Sequence, residues 1–235
     1  MTPSGGARER ARAEITAEIK EAARRRIALD GAPALSLRAV ARDLGFVSSA
    51  IYRYFASRDE LLTALIVDAY DDLGTAAEAA LGTGGPDPAR RWLAVAGAVR
   101  DWALEHRHEY ALLYGSPVPG YRAPELTVGP ASRVTLALAS VVASAAAAGR
   151  LEERPVPAGL SPGVLDDARR IRDLATPGVS DGAALRTLVA WNGLFGMVSF
   201  ELFGHTVGVV EDRRGVFEAG AAALGWFVGL AGGPG

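Results

Sequence analysis

The side chains best suited to bind a polyanion lie in one short stretch, residues 44–62, which reads LGFVSSAIYRYFASRDELL. At helical spacing Ile51 and Phe55 face inward, so the polar side chains around them face outward. This outward set comprises Ser48, Ser49, Tyr52 and Arg53. Hydroxyl and guanidinium groups on one exposed edge can form hydrogen bonds with the phosphate oxygens and base edges of DNA.

Two short helices must position this edge. The first begins after Ser36, an N-cap residue type, and ends before Gly45, which can take the left-handed conformation of a tight turn. Ala41 is small enough for a second helix, predicted from Ser48 to Tyr54, to cross closely. The seam between them is expected to contain Val40, Leu44, Phe46, Ile51 and Tyr54 or Phe55. This spacing is typical of a helix-turn-helix, whose second helix enters the major groove.

A long helix is predicted to follow the motif. Ser57 and Glu60 have the spacing of a capping box, which indicates a helix from residue 57 to about residue 81. Arg58 in its first turn, and Arg38 at the start of the preceding helix, are placed to contact phosphates. The hydroxyl of Tyr54 is suited to the same contact.

Helical periodicity recurs along the chain and no strand pattern stands out, so the sequence predicts an all-α fold. A first helix of about twenty residues is expected to end at Asp30, before Gly31. Further helices are predicted at 88–106, 108–114, 125–150, 163–174, 182–205 and 212–230. Clusters of proline and glycine separate them.

Composition excludes several classes of protein. The 235 residues are 49% hydrophobic and 22% charged, as in globular proteins. The absence of cysteine excludes disulfides, thiolate zinc sites and thiol nucleophiles, and fits a reducing cytoplasm. The N-terminus lacks the apolar core of a signal peptide, and the apolar run 134–148 is shorter than the roughly 20 residues of a span. We therefore expect a cytoplasmic protein with no membrane segment and no cofactor.

Charge is distributed unevenly. Residues 7–58 contain eleven Arg and Lys against six Asp and Glu, whereas residues 59–235 contain fourteen against twenty-one. A basic front and an acidic rear are expected of a chain that presents one end to a polyanion.

The segment SLRAVARDLGFVSSAIYRYFASRDELLTAL, residues 36–65, resembles the DNA-binding domain of TetR/AcrR-type transcriptional regulators. The residues at the family's spacing are Gly45, Ala50, Ile51, Tyr52, Phe55, Ser57 and the run 59–62. Tyr54 stands where the family usually has histidine, and Val47 where it usually has serine or threonine. The resemblance implies a three-helix DNA-binding unit and a larger helical domain that binds a ligand and dimerises.

On this basis we predict a helix-turn-helix DNA-binding domain at residues 1–57, with its motif at 36–55. Residues 58–235 are predicted to form a helical ligand-binding and dimerisation domain. The predicted DNA-binding residues are Ser36, Arg38, Val47, Ser48, Ser49, Tyr52, Arg53, Tyr54 and Arg58.

Residues 106–124 and 190–205 resemble the C-terminal domain of a TetR subgroup named for a Trp-His-Gly signature, which here reads Trp-Asn-Gly. Aromatic side chains at helical spacing either line a pocket for a small, apolar ligand or form plain core. The candidates for ligand binding are Trp92, Trp102, Tyr110, Tyr114, Trp191, Asn192 and Phe195. For Asn192, an interface role, a backbone hydrogen bond and ligand contact are all open.

Helix 182–205 is apolar almost all round, so the core of one chain would not cover it. Together with helix 212–230 it could form a four-helix interface in a twofold homodimer, with a buried monomer core as the alternative. The predicted interface residues are Leu188, Phe203, Phe217, Gly220, Leu224 and Phe227.

The sequence also offers an enzymatic alternative. Asp68, Asp71 and Asp72 share a helix face at a spacing that could hold Mg²⁺, as in all-α enzymes of isoprenoid or lipid type. His106 and His108 face different sides of a helix and are expected to be surface residues. We prefer a regulator that binds a palindromic operator and is not an enzyme. Repression released by a ligand is preferred, and activation is left open.

Overall fold

The computed structural model describes residues 4–156 and 158–230. Within them the chain is helical and contains no strand beyond an isolated bridge between Leu151 and Leu230, which confirms the all-α prediction. The helices are α1 (Ser4–Asp30), α2 (Leu37–Asp43), α3 (Arg58–Ala80), α4 (Pro88–Glu105), α5 (Arg107–Tyr114), α6 (Val128–Ala147), α7 (Pro162–Ala175), α8 (Asp181–Leu202) and α9 (Arg213–Val228). Short 3-10 turns occupy Ala32–Ala34, Ile51–Arg53 and Glu125–Thr127.

The chain divides into two compact units. The N-terminal unit contains the described residues up to Tyr70 together with His106–Val128. The C-terminal unit contains Asp71–Glu105 and the described residues from Gly129 onward. The predicted domain boundary between residues 57 and 58 stays a prediction.

The core of the N-terminal unit is formed by α1, α2, the 51–53 turn and the first half of α3. Ile19, Val40, Ile51 and Leu62 are each fully buried within it. Leu112 of α5 packs against the same cluster. Lys20 and Arg24 bind the two carboxylate oxygens of Asp68 at 2.8 and 2.9 Å, which ties α1 to α3.

The core of the C-terminal unit is built around buried side chains of α4, α6, α8 and α9. Trp92 is fully buried, and its indole Nε1 donates to the carbonyl oxygen of Ala221 at 2.9 Å. Arg100 donates to both carboxylate oxygens of Glu201, at 2.8 and 2.5 Å. A buried guanidinium needs such a partner, because an uncompensated buried charge is costly.

In the part of the chain that the structure describes, one helical stretch is long and apolar enough to cross a membrane by length and composition alone. It covers Glu125–Ala147, with a mean hydropathy of 1.4 over its most apolar window. A core helix passes the same test, and 39% of that window is buried within the protein.

The segment predicted as a second motif helix, 48–54, is not an α-helix. Residues 48–50 form a turn and Ile51–Arg53 a 3-10 helix. The amides of Ala50, Arg53 and Tyr54 each bond the carbonyl three residues earlier, at 2.8, 3.2 and 3.0 Å. This tighter bonding is common in short helical segments.

A left-handed glycine determines where α2 ends. Gly45 has φ +69°, its amide bonds the carbonyl of Arg42 at 3.1 Å, and the amide of Phe46 bonds the carbonyl of Ala41 at 2.8 Å. These two bonds form a Schellman motif. Ala41 is fully buried beside the turn, as its small side chain predicts.

We predict that Gly45→Ala lowers the free energy of unfolding by about 1–2 kcal/mol, because an L-residue pays for left-handed backbone. No atom lies within 4 Å of a Cβ at Gly45, so backbone strain is the main cost. Gly97→Ala is the matched control, since Gly97 lies inside α4 with equally open space. That change should stabilise by about 0.5–1 kcal/mol. Urea unfolding of both variants measures the difference, and effects of the same sign would contradict the argument.

Candidate nucleic-acid interface

The four side chains that were predicted to face outward are exposed. We call Ser48, Ser49, Tyr52 and Arg53 the polar edge. Tyr52 is 46% exposed, and the neighbouring Val47 is 72% exposed. Ile51 and Phe55 are buried at 0% and 5%, so they anchor the backbone beneath the polar edge. The structure therefore presents hydroxyl and guanidinium groups to solvent from a rigid support.

Helix α3 begins immediately after the polar edge and is capped by its own side chains. Ser57 Oγ accepts from the Glu60 amide at 3.1 Å. The Glu60 carboxylate accepts from the Ala56 amide at 2.6 Å. The predicted capping box is present, with Glu60 reaching one residue further back than its usual partner.

The carboxylate nearest the turn is neutralised. Asp43 accepts from Nε and Nη2 of Arg26, both at 2.6 Å, which joins the end of α2 to α1. The hydrogen bond from Arg26 lowers the pKa of the Asp43 carboxyl below its ordinary value, and Asp43 in turn raises the pKa of Arg26. Arg38 and Arg42 are exposed on the same helix. The surface around the motif therefore keeps its positive character.

Two predicted DNA contacts, Tyr54 and Arg58, have partners inside the chain, and a third, Ser36, lies at the start of a helix. Ser36 lies at the N-cap of α2, but its side chain makes no capping hydrogen bond. Tyr54 is half-buried and packs against the core of the N-terminal unit. Arg58 donates to the carbonyl oxygens of Ala32 and Pro33 at 3.1 and 3.2 Å, so it supports the 3-10 turn before α2. Contacts of these three residues with DNA stay predictions.

Sequence reasoning missed Arg12, which contacts the polar edge from α1. Its Nη2 donates to the carbonyl oxygen of Arg53 at 3.1 Å, and its guanidinium lies 5.4 Å from the centre of the Tyr54 ring. Forty-one residues separate Arg12 from Arg53, and no local pattern links them. The only sequence signal was the excess of arginine at the front of the chain.

The predicted ligand-binding residues are divided between the two compact units. Tyr110 and Tyr114 lie in the N-terminal unit, where their rings are 5.0 Å apart. Burial raises the pKa of the Tyr114 hydroxyl, which keeps it neutral. The other five lie in the C-terminal unit: Trp92, Trp102, Trp191, Asn192 and Phe195. Trp92, Trp102 and Tyr110 are buried, and the hydrogen bond from Trp92 to Ala221 marks it as core.

Trp191 retains a feature that core residues seldom show. The centre of its ring lies 5.4 Å from the centre of the Phe195 ring. Its buried indole Nε1 has no hydrogen-bond partner among the residues described. A buried donor without an acceptor is costly. Asn192, by contrast, is exposed.

The predicted dimer residues divide into inner and outer sets. Phe217 is only 4% exposed and lies under the guanidinium of Arg100, so its assignment to an outer face is corrected. Gly220 faces Met197, and Leu224 faces Gly193, so both form the seam between α8 and α9 of one chain. Leu188 is half-buried, whereas Phe203 and Phe227 are 46% and 37% exposed.

A different set of apolar residues is exposed on these helices. On α8 the exposed positions are Val189, Asn192, Gly196, Phe200 and Phe203, spaced by three and four. On α9 the exposed apolar residues are Val216, Ala219, Ala223, Trp226 and Phe227. We call these two sets the apolar face. Beside it lies a groove of about 370 Å³ lined by Met197, Phe200, Glu201, Val210 and Val216, among others.

The aspartates of α3 do not form a metal site. Both oxygens of Asp68 are bound by Lys20 and Arg24, and Asp71 is bound by Arg133 at 2.9 Å. Among the residues described, no group of three or more His, Asp or Glu could hold a metal ion. The enzymatic alternative therefore loses the cluster on which it rested.

Comparison with known proteins agrees with this geometry. Residues 19–65 match the model of the bacterial regulatory proteins of the tetR family. Residues 92–224 match the model of the tetracyclin repressor-like C-terminal domain. The first match contains the polar edge. The second contains the apolar face except Trp226 and Phe227.

Several relatives are similar over nearly the full chain. The HTH-type transcriptional regulators Rv1816 of Mycobacterium tuberculosis H37Rv and Mb1846 of Mycobacterium bovis are each 43% identical to it, covering 91% of this chain and 92% of theirs. The crystal structure of SCO4313, a protein assigned as regulatory, superposes with a TM-score of 0.75 at 36% identity, covering 92% of this chain and 97% of that one.

Proposed function

Because the chain belongs to the TetR family of DNA-binding transcriptional regulators, we propose that it is a ligand-released repressor that binds a near-palindromic operator as a homodimer. Its relatives are regulators and not enzymes, which confirms the expectation that it is not an enzyme. The observation that carries the proposal is the polar edge, exposed above the buried anchors Ile51 and Phe55. A regulator of this kind acts in the cytoplasm, where the chromosome is.

The polar edge combines two kinds of DNA contact. Tyr52 and Arg53 carry groups suited to phosphate oxygens, which position a protein on any duplex. Ser48 and Ser49 are small hydroxyl residues at the start of the edge, where a helix-turn-helix reads base edges in the major groove. Two copies in one homodimer would occupy successive major grooves, with centres about one helical turn apart.

We predict that Tyr52→Phe weakens binding to all duplexes by a similar factor, because it removes one phosphate contact in each protomer. Substitutions at Ser48 or Ser49 should instead change which bases are preferred. Gel shifts on an operator obtained by protein-selected sequencing, and on its single-base variants, measure both effects.

Tyr70→Phe is the control for Tyr52→Phe, since it removes a hydroxyl of the same kind from a half-buried site on α3. It should leave DNA binding unchanged. A Tyr52→Phe effect confined to one base position would contradict the phosphate assignment.

The apolar face supports the homodimer. Two of its apolar side chains, Phe200 and Val216, are 58% and 54% exposed, and they line the groove between α8 and α9. Contiguous exposed apolar surface marks an interaction site. Two copies of one helix pair form an isologous four-helix interface, in which the same patch covers itself. Asn192 would then be a polar residue within an otherwise apolar interface.

Phe200→Asp should convert the dimer to a monomer, because it places two charges in the proposed interface. Light scattering after gel filtration distinguishes a mass near 24.5 kDa from twice that value. Leu174→Asp is the matched control, since Leu174 is 81% exposed on α7, outside the apolar face. A dimeric Phe200→Asp variant would contradict this interface.

The proposed ligand is a small apolar molecule with one hydrogen-bond acceptor. The unpartnered Nε1 of Trp191 supports a ligand acceptor there, and Phe195 supplies an apolar ring beside it. Helix α3 continues from the N-terminal unit into the C-terminal unit, where Arg133 of α6 binds Asp71 and Glu78. Ligand binding would shift α3 through such contacts. Nearly complete release requires roughly 10⁴-fold tighter binding to the released form.

We predict that Trp191→Phe reduces the thermal stabilisation produced by apolar ketones and esters that bind the wild-type protein. The change retains an aromatic ring and removes the only N–H donor of the side chain. Trp92→Phe is the control, because its N–H already bonds Ala221 within the chain. It should lower the Tm itself and leave the ligand-induced shift unchanged. Equal shifts in wild type and Trp191→Phe would contradict the site.

A further inference from the structure

The first turns of α1 are held beside the polar edge. Arg12 makes two contacts there, a hydrogen bond to the Arg53 carbonyl and a cation–π contact with Tyr54. Its own carbonyl accepts from Thr16 Oγ1 at 2.8 Å, one turn further along α1. The Arg12 guanidinium is therefore occupied within the protein, and its effect is to fix the start of α1 next to residues 53 and 54.

Helix α1 extends beyond this contact. Arg8 lies four residues before Arg12, which puts it on nearly the same helix face and about 6 Å further along the axis. Arg8 is exposed, and it has no ion pair or hydrogen bond among the residues that the structure describes. Arg10 is also exposed, but at about 100° per residue it points to the opposite side of α1.

A guanidinium that makes no ion pair with the described residues, on the side of α1 nearest the polar edge, can bind an anion outside the chain. Guanidinium and phosphate form short, charge-assisted and often bidentate hydrogen bonds. The duplex continues past the bases that the polar edge would read, and its backbone carries phosphates at regular spacing. The position and charge of Arg8 thus match a DNA phosphate just outside each half-site.

We propose that α1 extends the DNA interface: Arg8 binds a phosphate flanking the half-site, and Arg12 is a positioning residue that holds Arg8 there. This rests on the proposed DNA-binding function. None of the contacts expected of the helix-turn-helix motif includes either residue.

The test uses the full-length protein and two duplexes, the selected operator with long flanks and the same operator trimmed to its half-sites. Arg8→Ala should weaken binding to the long duplex by roughly fivefold. It should also reduce the slope of log K against log[salt] by about 0.9 for each protomer. On the trimmed duplex Arg8→Ala should equal wild type. Arg10→Ala should equal wild type on both duplexes, because Arg10 faces away.

Arg12→Ala tests the positioning role. Once the contact with Arg53 is lost, adding Arg8→Ala should cause no further loss, whereas independent contacts would add. Circular dichroism of each variant verifies that α1 remains helical.

The outcomes are separable. Equal behaviour of Arg8→Ala and Arg10→Ala, or an Arg8→Ala effect that persists on the trimmed duplex, overturns the inference and leaves the proposed function intact. An effect that depends on the flanking base sequence overturns the phosphate assignment. Failure of the wild-type protein to prefer its operator over random duplex overturns the proposed function, and this inference with it.

Discussion

The left-handed turn at Gly45 is the constraint on which the candidate interface depends. It ends α2 after seven residues and closes the helix with bonds to the Arg42 and Ala41 carbonyls. The chain can then return so that Ile51 and Phe55 enter the core. Because those two side chains are buried, Tyr52 and Arg53 between them face solvent, as do Ser48 and Ser49 before them. Backbone geometry at one glycine therefore determines which hydroxyl and guanidinium groups are available to a partner.

Ion pairing within the N-terminal unit makes that surface positively charged. In the N-terminal unit, the carboxylates of Asp43 and Asp68 are each bound by arginine or lysine from α1. The pairing both joins the helices and removes negative charge from the neighbourhood of the polar edge. Arginines that have no acidic partner among the described residues, such as Arg8 and Arg38, then contribute most of the local positive charge. Structural ion pairs and a cationic binding surface are two results of one charge distribution.

In the C-terminal unit, small residues decide which helix faces are internal. Gly193 and Gly220 allow α8 and α9 to approach, and Leu224 and Met197 fill the space beside them. This internal packing turns Val189, Phe200, Val216 and Trp226 outward. Apolar residues remain exposed on both helices within the described chain, in line with the apolar periodicity of the 182–205 segment. The predicted interface residues include both inner and outer positions, because apolar residues on either face of a helix have the same composition.

The sequence by itself determined the helical class, most helix positions, the Gly45 turn and the residues of the polar edge, because these depend on local periodicity and capping. Only tertiary structure decided three other features. These are the 3-10 form of residues 51–53, the hydrogen bond from Arg12 to the Arg53 carbonyl, and the ion pairs of Asp68 with Lys20 and Arg24. The physical reason is separation along the chain: Arg12 and Arg53 are 41 residues apart, and Lys20 and Asp68 are 48. Such contacts exist only after the helices pack, and no local pattern encodes them.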